Sequence, residues 1–427
     1  MAKVYHSEIF GLRETKYDWL NKHNIKNVKW NKIYPSRDFY LFMPTDNKLA
    51  NYYYSFEKIT EIFPVNSVGI VTARDKFVID FDRKKLERRL EDFRNPKIDD
   101  EILKQTYDLS ENKSWKINEQ REKLRKDFDW KDSITKILYR PFDERWVIYN
   151  DDMVERTRKE IMQNLMSENI ALITSRMTKG ETFKHAQVTD KITEVICVSP
   201  KTSNNGFVFP LYLYLKKKDK KKTSYIQMMM FEPEAEYQTR QPNINPSLFE
   251  EFKKSYKKDV TPEEIFYYIY AVLYSNTYRT KYVKFLKIDF PRVPFTKNYK
   301  LFIQLGKLGK QLADLHLLKS EVLDKSISEF PIEGNNKVEK PHFGYALRGN
   351  GKVWINKEQY FDGIKEEVWQ YQIGGYQVCE KWLKGRKEKT LTLEEIQTYC
   401  KIVTALSKTI EVQIEIDKYY ESIEKSL

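Results

Sequence analysis

The stretch Ser175-Arg176-Met177-Thr178-Lys179-Gly180 holds the side chains best suited to reading a nucleic acid. A guanidinium offers forked donors that fit the guanine edge, and Asn or Gln amides fit adenine. The loop follows an apolar run, residues 171–174, that reads as a buried strand and would hold Arg176 on a firm base. Phe183, Lys184 and His185 lie just beyond it. A second loop, Thr202-Ser203-Asn204-Asn205-Gly206, places two amides between strand patterns, although the turn chemistry of Asn-Asn-Gly explains it equally well. Gln238-Thr239-Arg240-Gln241-Pro242 is polar and extended and could enter a groove. Arg74 and Lys76 flank Asp75 on another turn, and Arg279 and Lys281 share a basic, tyrosine-rich one. Lysine is a compact charge that suits a phosphate rather than a base edge. The candidate DNA-contacting set is therefore Arg74, Lys76, Arg176, Lys179, Lys184, His185, Asn204, Asn205, Arg240, Arg279 and Lys281. Arg140 and Arg145 adjoin Asp143 and Glu144, and internal ion pairs are the blander account of them.

Such side chains need rigid carriers. Thr261 with Pro262 and Glu264 forms a helix start with a capping box. Ile265, Phe266, Ile269, Val272 and Leu273 then leave almost no polar face, so this helix is expected to be buried. Ser275-Asn276-Thr277 breaks it, a short helical pattern follows through Leu286, and Pro291 and Pro294 force extended backbone. Upstream, strands are expected at 137–139, 146–149, 171–174, 194–198, 207–215 and 225–230, with 216–222 (KKKDKKK) as a solvated hairpin tip. A strand pair is expected at 69–72 and 77–80. The charged stretch 84–129, polar nearly all round, reads as a spacer or surface helical pair. Near the N-terminus, 14–24 reads as an amphipathic helix and 39–42 as a buried strand. Beyond Leu301, Leu305, Leu308, Leu312 and Leu315 mark one helix, 391–423 a second, and 349–356 a turn and strand. The implied segments are 1–50, 51–130, 131–300 and 301–427.

Several chemistries lack their residues. No glycine-rich turn for S-adenosylmethionine is present, and Asn95-Pro96-Lys97 and Asn245-Pro246-Ser247 lack the second proline and aromatic of an amino-methylating motif. The chain has 14 glycines, none between Gly69 and Gly180 or between Gly206 and Gly306, and no phosphate-cradling loop of a motor. Glu251-Phe252-Lys253 matches one half of a nuclease motif, with no Asp in the preceding residues 231–250. His6, His23, His185, His316 and His342 are scattered singly, with no metal-ligand spacing.

The 427 residues carry 75 basic and 62 acidic side chains, a net charge of +13, which suits a polyanion or a lysine-rich soluble protein alike. Cys197, Cys379 and Cys400 are far apart, which fits a reducing cytoplasm. No stretch reaches the roughly 18 apolar residues of a membrane span.

Five tracts carry a resemblance: VNSVGIVTARDKFVID (65–80), YRPFDERWVIY (139–149), ALITSRMTKGETFKHAQVTDKI (171–192), TPEEIFYYIYAVLYSNTYRTKYVKFLKIDFPRVPFT (261–296) and INKEQYF…VWQYQIGGYQVCEKWLKGRK (355–387). In type and order they resemble the C-terminal specificity domain of type ISP restriction–modification enzymes. The resemblance implies a mixed α+β (α/β) target-recognition domain with short mixed strands and a helical C-terminal region. The closing segment of a methyltransferase-like fold would precede it at residues 1–50. It also implies a duplex-DNA partner, with methyltransferase and helicase/nuclease domains in cis or on a split gene product. S-adenosylmethionine, ATP and Mg would serve only the complete enzyme; this chain by itself is expected to bind none and to be catalytically inert. Two other readings stay open: an assembly module of a defence system, and an adenine methyltransferase with degenerate motifs.

Overall fold

The computed structural model describes residues 3–35, 42, 47–214, 240–345 and 351–427. The lysine run 216–222, the expected strand at 225–230, most of 39–42 and the turn residues 349–350 lie outside them.

Contacts divide the chain into residues 1–56 and 57–427. In the first unit Val4–His6 (β1) pairs antiparallel with Asn31–Ile33 (β2), and the helices are Arg13–Lys22 (α1) and Asn47–Tyr54 (α2). A surface helix normally hides an apolar stripe. α1 buries no residue, and Phe10, Leu12, Tyr17, Leu20 and Ile25 are all exposed.

The second unit is a mixed α+β fold. Ser67–Val68 (β3) and Ile79–Asp80 (β4) precede three helices, Arg83–Arg94 (α3), Asp100–Tyr107 (α4) and Ile117–Lys126 (α5). Next come Ile134–Arg140 (β5), Asp143–Ile148 (β6), Ala171–Ser175 (β7), Ala186–Thr189 (β8), Ile192–Thr193 (β9) and Gly206–Pro210 (β10). Two four-stranded sheets result, β9-β5-β6-β4 and β3-β10-β7-β8. The expected strand pair at 69–72 and 77–80 does not form: Ile79–Asp80 pairs with β6, while Ile70 and Val71 bridge to Glu194 and Arg156. The peptide at Ile70 pairs instead across the chain, its N–H donating to Thr193 O at 2.8 Å, and Asp75–Val78 closes as a helical turn. Of the expected strand 194–198, only a bridge at Glu194 continues β9.

The charged stretch 84–129 is no spacer. Leu86, Leu90 and Phe93 of α3, Leu103 of α4, and Ile117 and Leu124 of α5 join the core cluster with Ile137 and Val147 of the sheet. One apolar residue per turn suffices because buried Arg121 ties the helices together, donating from Nε to Phe93 O and from Nη2 to Ile98 O, each at 2.8 Å.

Tyr212–Tyr214 (β11) pairs with Arg240–Pro242 (β12), followed by Pro246–Tyr256 (α6), Pro262–Tyr274 (α7) and Asn276–Lys281 (α8). The Thr261–Glu264 capping box forms in both directions, and α7 is buried nearly all round. A tyrosine-rich helix can be buried only if its hydroxyls find partners. Tyr268 donates to Pro294 O at 2.7 Å and Tyr274 to Ala186 O at 2.9 Å. The Tyr270 hydroxyl lies 2.6 Å from His316 Nδ1, and His316 Nε2 lies 2.9 Å from Thr409 Oγ1, which itself donates to Ala405 O. This relay requires a neutral His316 protonated at Nε2, and burial, followed by the nearby Arg279 charge, pushes its pKa down to about 3.

Tyr299–His316 (α9) crosses α7. Then come a three-stranded antiparallel sheet, His342–Tyr345 (β13), Gly351–Trp354 (β14) and Tyr360–Ile364 (β15), the helix Val378–Lys384 (α10), and the 33-residue Leu393–Lys425 (α11). Among the described residues no helix is long and apolar enough to cross a membrane.

Gly309 sets the α7–α9 distance, since a Cβ there would stand 1.8 Å from Tyr267 O. Gly309→Ala is expected to lower stability by about 1–3 kcal/mol or more through overpacking. Gly306→Ala, whose Cβ would meet nothing closer than Glu264 O at 3.6 Å, is expected to be neutral or stabilising. Urea denaturation midpoints of the two variants check the contrast.

Candidate nucleic-acid interface

The recognition loops meet because of strand register. Ser175 at the end of β7 stands opposite Gly206 at the start of β10, and Thr174 stands opposite Ala186 at the start of β8. The segments 176–181, 199–205 and 182–185 therefore leave the sheet at one end. A fourth segment joins them: Thr178 N donates to Lys287 O at 3.3 Å, and its hydroxyl lies 3.4 Å from Leu286 O.

The Glu181 carboxylate binds these segments together. It accepts from Asn204 Nδ2 at 2.7 Å, Ser199 Oγ at 2.9 Å and His185 Nε2 at 2.8 Å, while Lys201 Nζ stands 3.8 Å away. Burial alone would raise its pKa, but hydrogen bonds from His185, Asn204 and Ser199 override this and bring it down to about 2. Burial likewise pushes His185 below its ordinary value, so it is neutral at pH 7 and donates Nε2–H to the carboxylate. Asn204 also receives Lys179 N–H on its Oδ1 at 2.9 Å. Gly180 completes the turn at φ +68°, where Lys201 Nζ reaches its carbonyl at 2.8 Å. On this clamped turn the Arg176 side chain is 61% exposed, with Asp289 at 3.6 Å, and Asp289 is also held by Lys58 at 2.7 Å. Lys179 and Lys287 are exposed beside it.

Residues 61–414 match the type ISP C-terminal specificity domain. The chain belongs to that family. No curated protein matches this chain. Three solved chains share its fold at 19% identity. One is a nuclease-deletion mutant of the type ISP restriction–modification enzyme LlaGI in complex with a DNA substrate mimic (TM-score 0.65, 97% of this chain, 33% of that one). A second is DrdV in a DNA complex solved by electron cryo-microscopy (0.71, 97% and 43%). The third is the ATP-dependent type ISP enzyme LlaBIII bound to DNA (0.65, 91% and 25%). The 427-residue chain thus spans less than half the length of each of these chains.

Not every sequence-derived candidate is available to a ligand. Asn204 and His185 are fully buried and serve the Glu181 cluster, so they position the loop rather than meet a base. Asn205 is half-buried on the same turn, and Lys184 is half-buried with Nζ 3.3 Å from Gln372 Oε1. Arg279 is 7% exposed: its Nε donates to Leu273 O at 2.6 Å, placing the cation at the carboxyl end of α7, where the helix dipole favours it. Arg74 is 6% exposed, lies 3.8 Å over the Trp115 ring and pairs with Glu155 at 3.2 Å. Lys76, on the same turn as Arg74, is exposed and pairs with Asp108 at 3.1 Å. Arg240 lies 4.3 Å over the Tyr212 ring on the β11–β12 ribbon, and Lys281 pairs with Glu424. Arg140 and Arg145 form internal pairs with Glu194 and Asp143, each at 2.7 Å. Of the eleven candidates, Arg176 and Lys179 are thus the exposed ones at the shared loop cluster. Lys58, Lys201, Lys287 and the central Glu181 escaped the sequence reading, because their roles arise from partners distant in the chain.

The Glu181 carboxyl titrates near 2 in the fold against an ordinary 4.5, so its stabilisation is complete above about pH 4.5 and is lost as pH falls towards 2. His185, depressed below 6.5, adds a loss that begins as pH drops through that value. Glu181→Gln is expected to lower stability at neutral pH by about 2–4 kcal/mol, with the gap to wild type closing as pH falls from about 5 to 3. Denaturation curves across that range check it.

Proposed function

We propose that this chain is the target-recognition part of a type ISP restriction–modification enzyme and reads duplex DNA with the Arg176 loop. The observation that supports this most directly is an exposed guanidinium on a turn clamped by Glu181, beside Lys179, Lys201 and Lys287, in a member of the specificity-domain family. A rigid forked donor carries sequence information, and the surrounding lysines supply phosphate attraction. The DNA named with the solved structures of the same fold supports the same partner. Adenine-N6 methylation and cleavage then fall to other domains, which would use S-adenosylmethionine, ATP and Mg. The apolar side chains exposed in residues 1–56, with Leu20 and Ile25 among them, support attachment of that unit to the methyltransferase part.

Binding of the purified chain to duplex DNA is expected to weaken linearly in log–log salt plots. The slope is about −0.9 for each of roughly four to eight phosphates. A slope near zero in anisotropy titrations overturns the DNA reading. Arg176→Ala is expected to cost about 1–3 kcal/mol at one base pair and to relax preference there alone, as measured by selection from a randomised duplex pool. An unchanged preference in a well-folded variant places the code elsewhere.

A further inference from the structure

A second basic cluster lies where α10 ends against the β5–β6 hairpin. Trp382 Nε1 donates to Phe142 O at 3.2 Å, and Arg386 reaches Asp143 at 3.1 Å and Glu395 at 2.9 Å. Arg145 holds Asp143 from the other side at 2.7 Å. Three cations surround the Phe81 ring: Arg145 at 4.1 Å, Arg386 at 4.7 Å and Lys389 at 3.5 Å. Lys381 lies 5.3 Å over the neighbouring Tyr376 ring.

Charge does not balance here. Both arginines are matched by Asp143 and Glu395, whereas Lys381 and Lys389 form no ion pair or side-chain hydrogen bond with any described residue. Both lysines are half-buried. Burial lowers each ammonium pKa first; Arg140 and Arg145 lower that of Lys381 further against the pull of Asp143, while at Lys389 the more distant carboxylates Asp80 and Glu395 oppose the burial and Lys85 and Arg145 add to it. An unmatched surface lysine ordinarily extends into water, while these two are packed on rings beside other cations. Holding like charges together lowers stability, and an anion would relieve it.

We propose that Lys381 and Lys389 bind the sugar–phosphate backbone of the DNA beside the site read by the Arg176 loop. This rests on the DNA-binding reading and adds a second contact to it. The ring faces are already covered by cations, so no aromatic surface is left to stack a base; the free charge fits a phosphate. Lysines at this position carry no base code and would anchor any sequence. The cluster is continuous with the recognition loops. Tyr376 donates to Ile196 O at 2.9 Å, and the preceding Gly374 and Gly375 donate to Lys184 O at 2.7 Å and Val198 O at 2.9 Å.

The test is the full chain carrying Lys381→Gln and Lys389→Gln, titrated with a fixed duplex at several salt concentrations. The logarithmic salt slope is expected to become shallower by about 1.8, two phosphates at 0.9 each, with base preference unchanged. The melting temperature is expected to stay level or rise, because repulsion is relieved. The Lys381→Arg, Lys389→Arg variant is expected to retain the wild-type slope. An unchanged slope in the glutamine variant, or an arginine variant as weak as the glutamine one, overturns the proposal while leaving the Arg176 reading intact. A wild-type chain without salt-dependent binding removes both.

Discussion

The loop cluster around Arg176 depends on one half-buried carboxylate. Glu181 collects donors from two segments besides its own, and each donor would be costly to bury without it. Because the carboxylate is ionised and His185 is neutral, the cluster needs no titratable cation to balance its geometry. Lys201 contributes at longer range from the surface. A loop held this way loses little entropy when it meets a ligand. That is what distinguishes Arg176 from a flexible surface arginine.

Behind that cluster stands α7, which solves a different problem. An all-round apolar helix with four tyrosines can be central only if their hydroxyls are satisfied from outside the helix. Tyr274 does this by reaching Ala186 O on β8, which links the helical core directly to the recognition sheet. Gly309 lets α9 approach closely enough to enclose the other face. Movement of either helix would therefore be felt at the base of the loops.

The basic excess of the chain is a poor guide to where a polyanion would touch it. Arg74, Arg121, Arg140, Arg279 and Arg386 are buried and hold backbone carbonyls, rings or carboxylates. Guanidinium suits this work because its planar fork can satisfy several acceptors at once while its stem packs against aromatic rings. Arg176, Lys179 and Lys287 at the loop cluster are exposed instead. The N-terminal unit is poor in burial and exposes apolar side chains such as Leu20 and Ile25.

What the sequence determined by itself was local. The Thr261 cap, the buried period of α7, the strand before Arg176 and the leucine spacing of α9 all follow from residues within a few turns of one another, and each formed with nearly the expected bounds. The family was legible for the same reason, since five tracts in order carry it. Only the tertiary structure decided which polar residues face a ligand. Arg74 found Glu155, Asn204 found Glu181 and Lys281 found Glu424, partners separated by tens to more than a hundred positions. The charged helices from 84 to 129 became core through one residue per turn, a stripe too narrow to stand out among their charges. Burial and pairing are properties of the packed chain, and residue type alone cannot distinguish a guanidinium that supports a loop from one that reads a base.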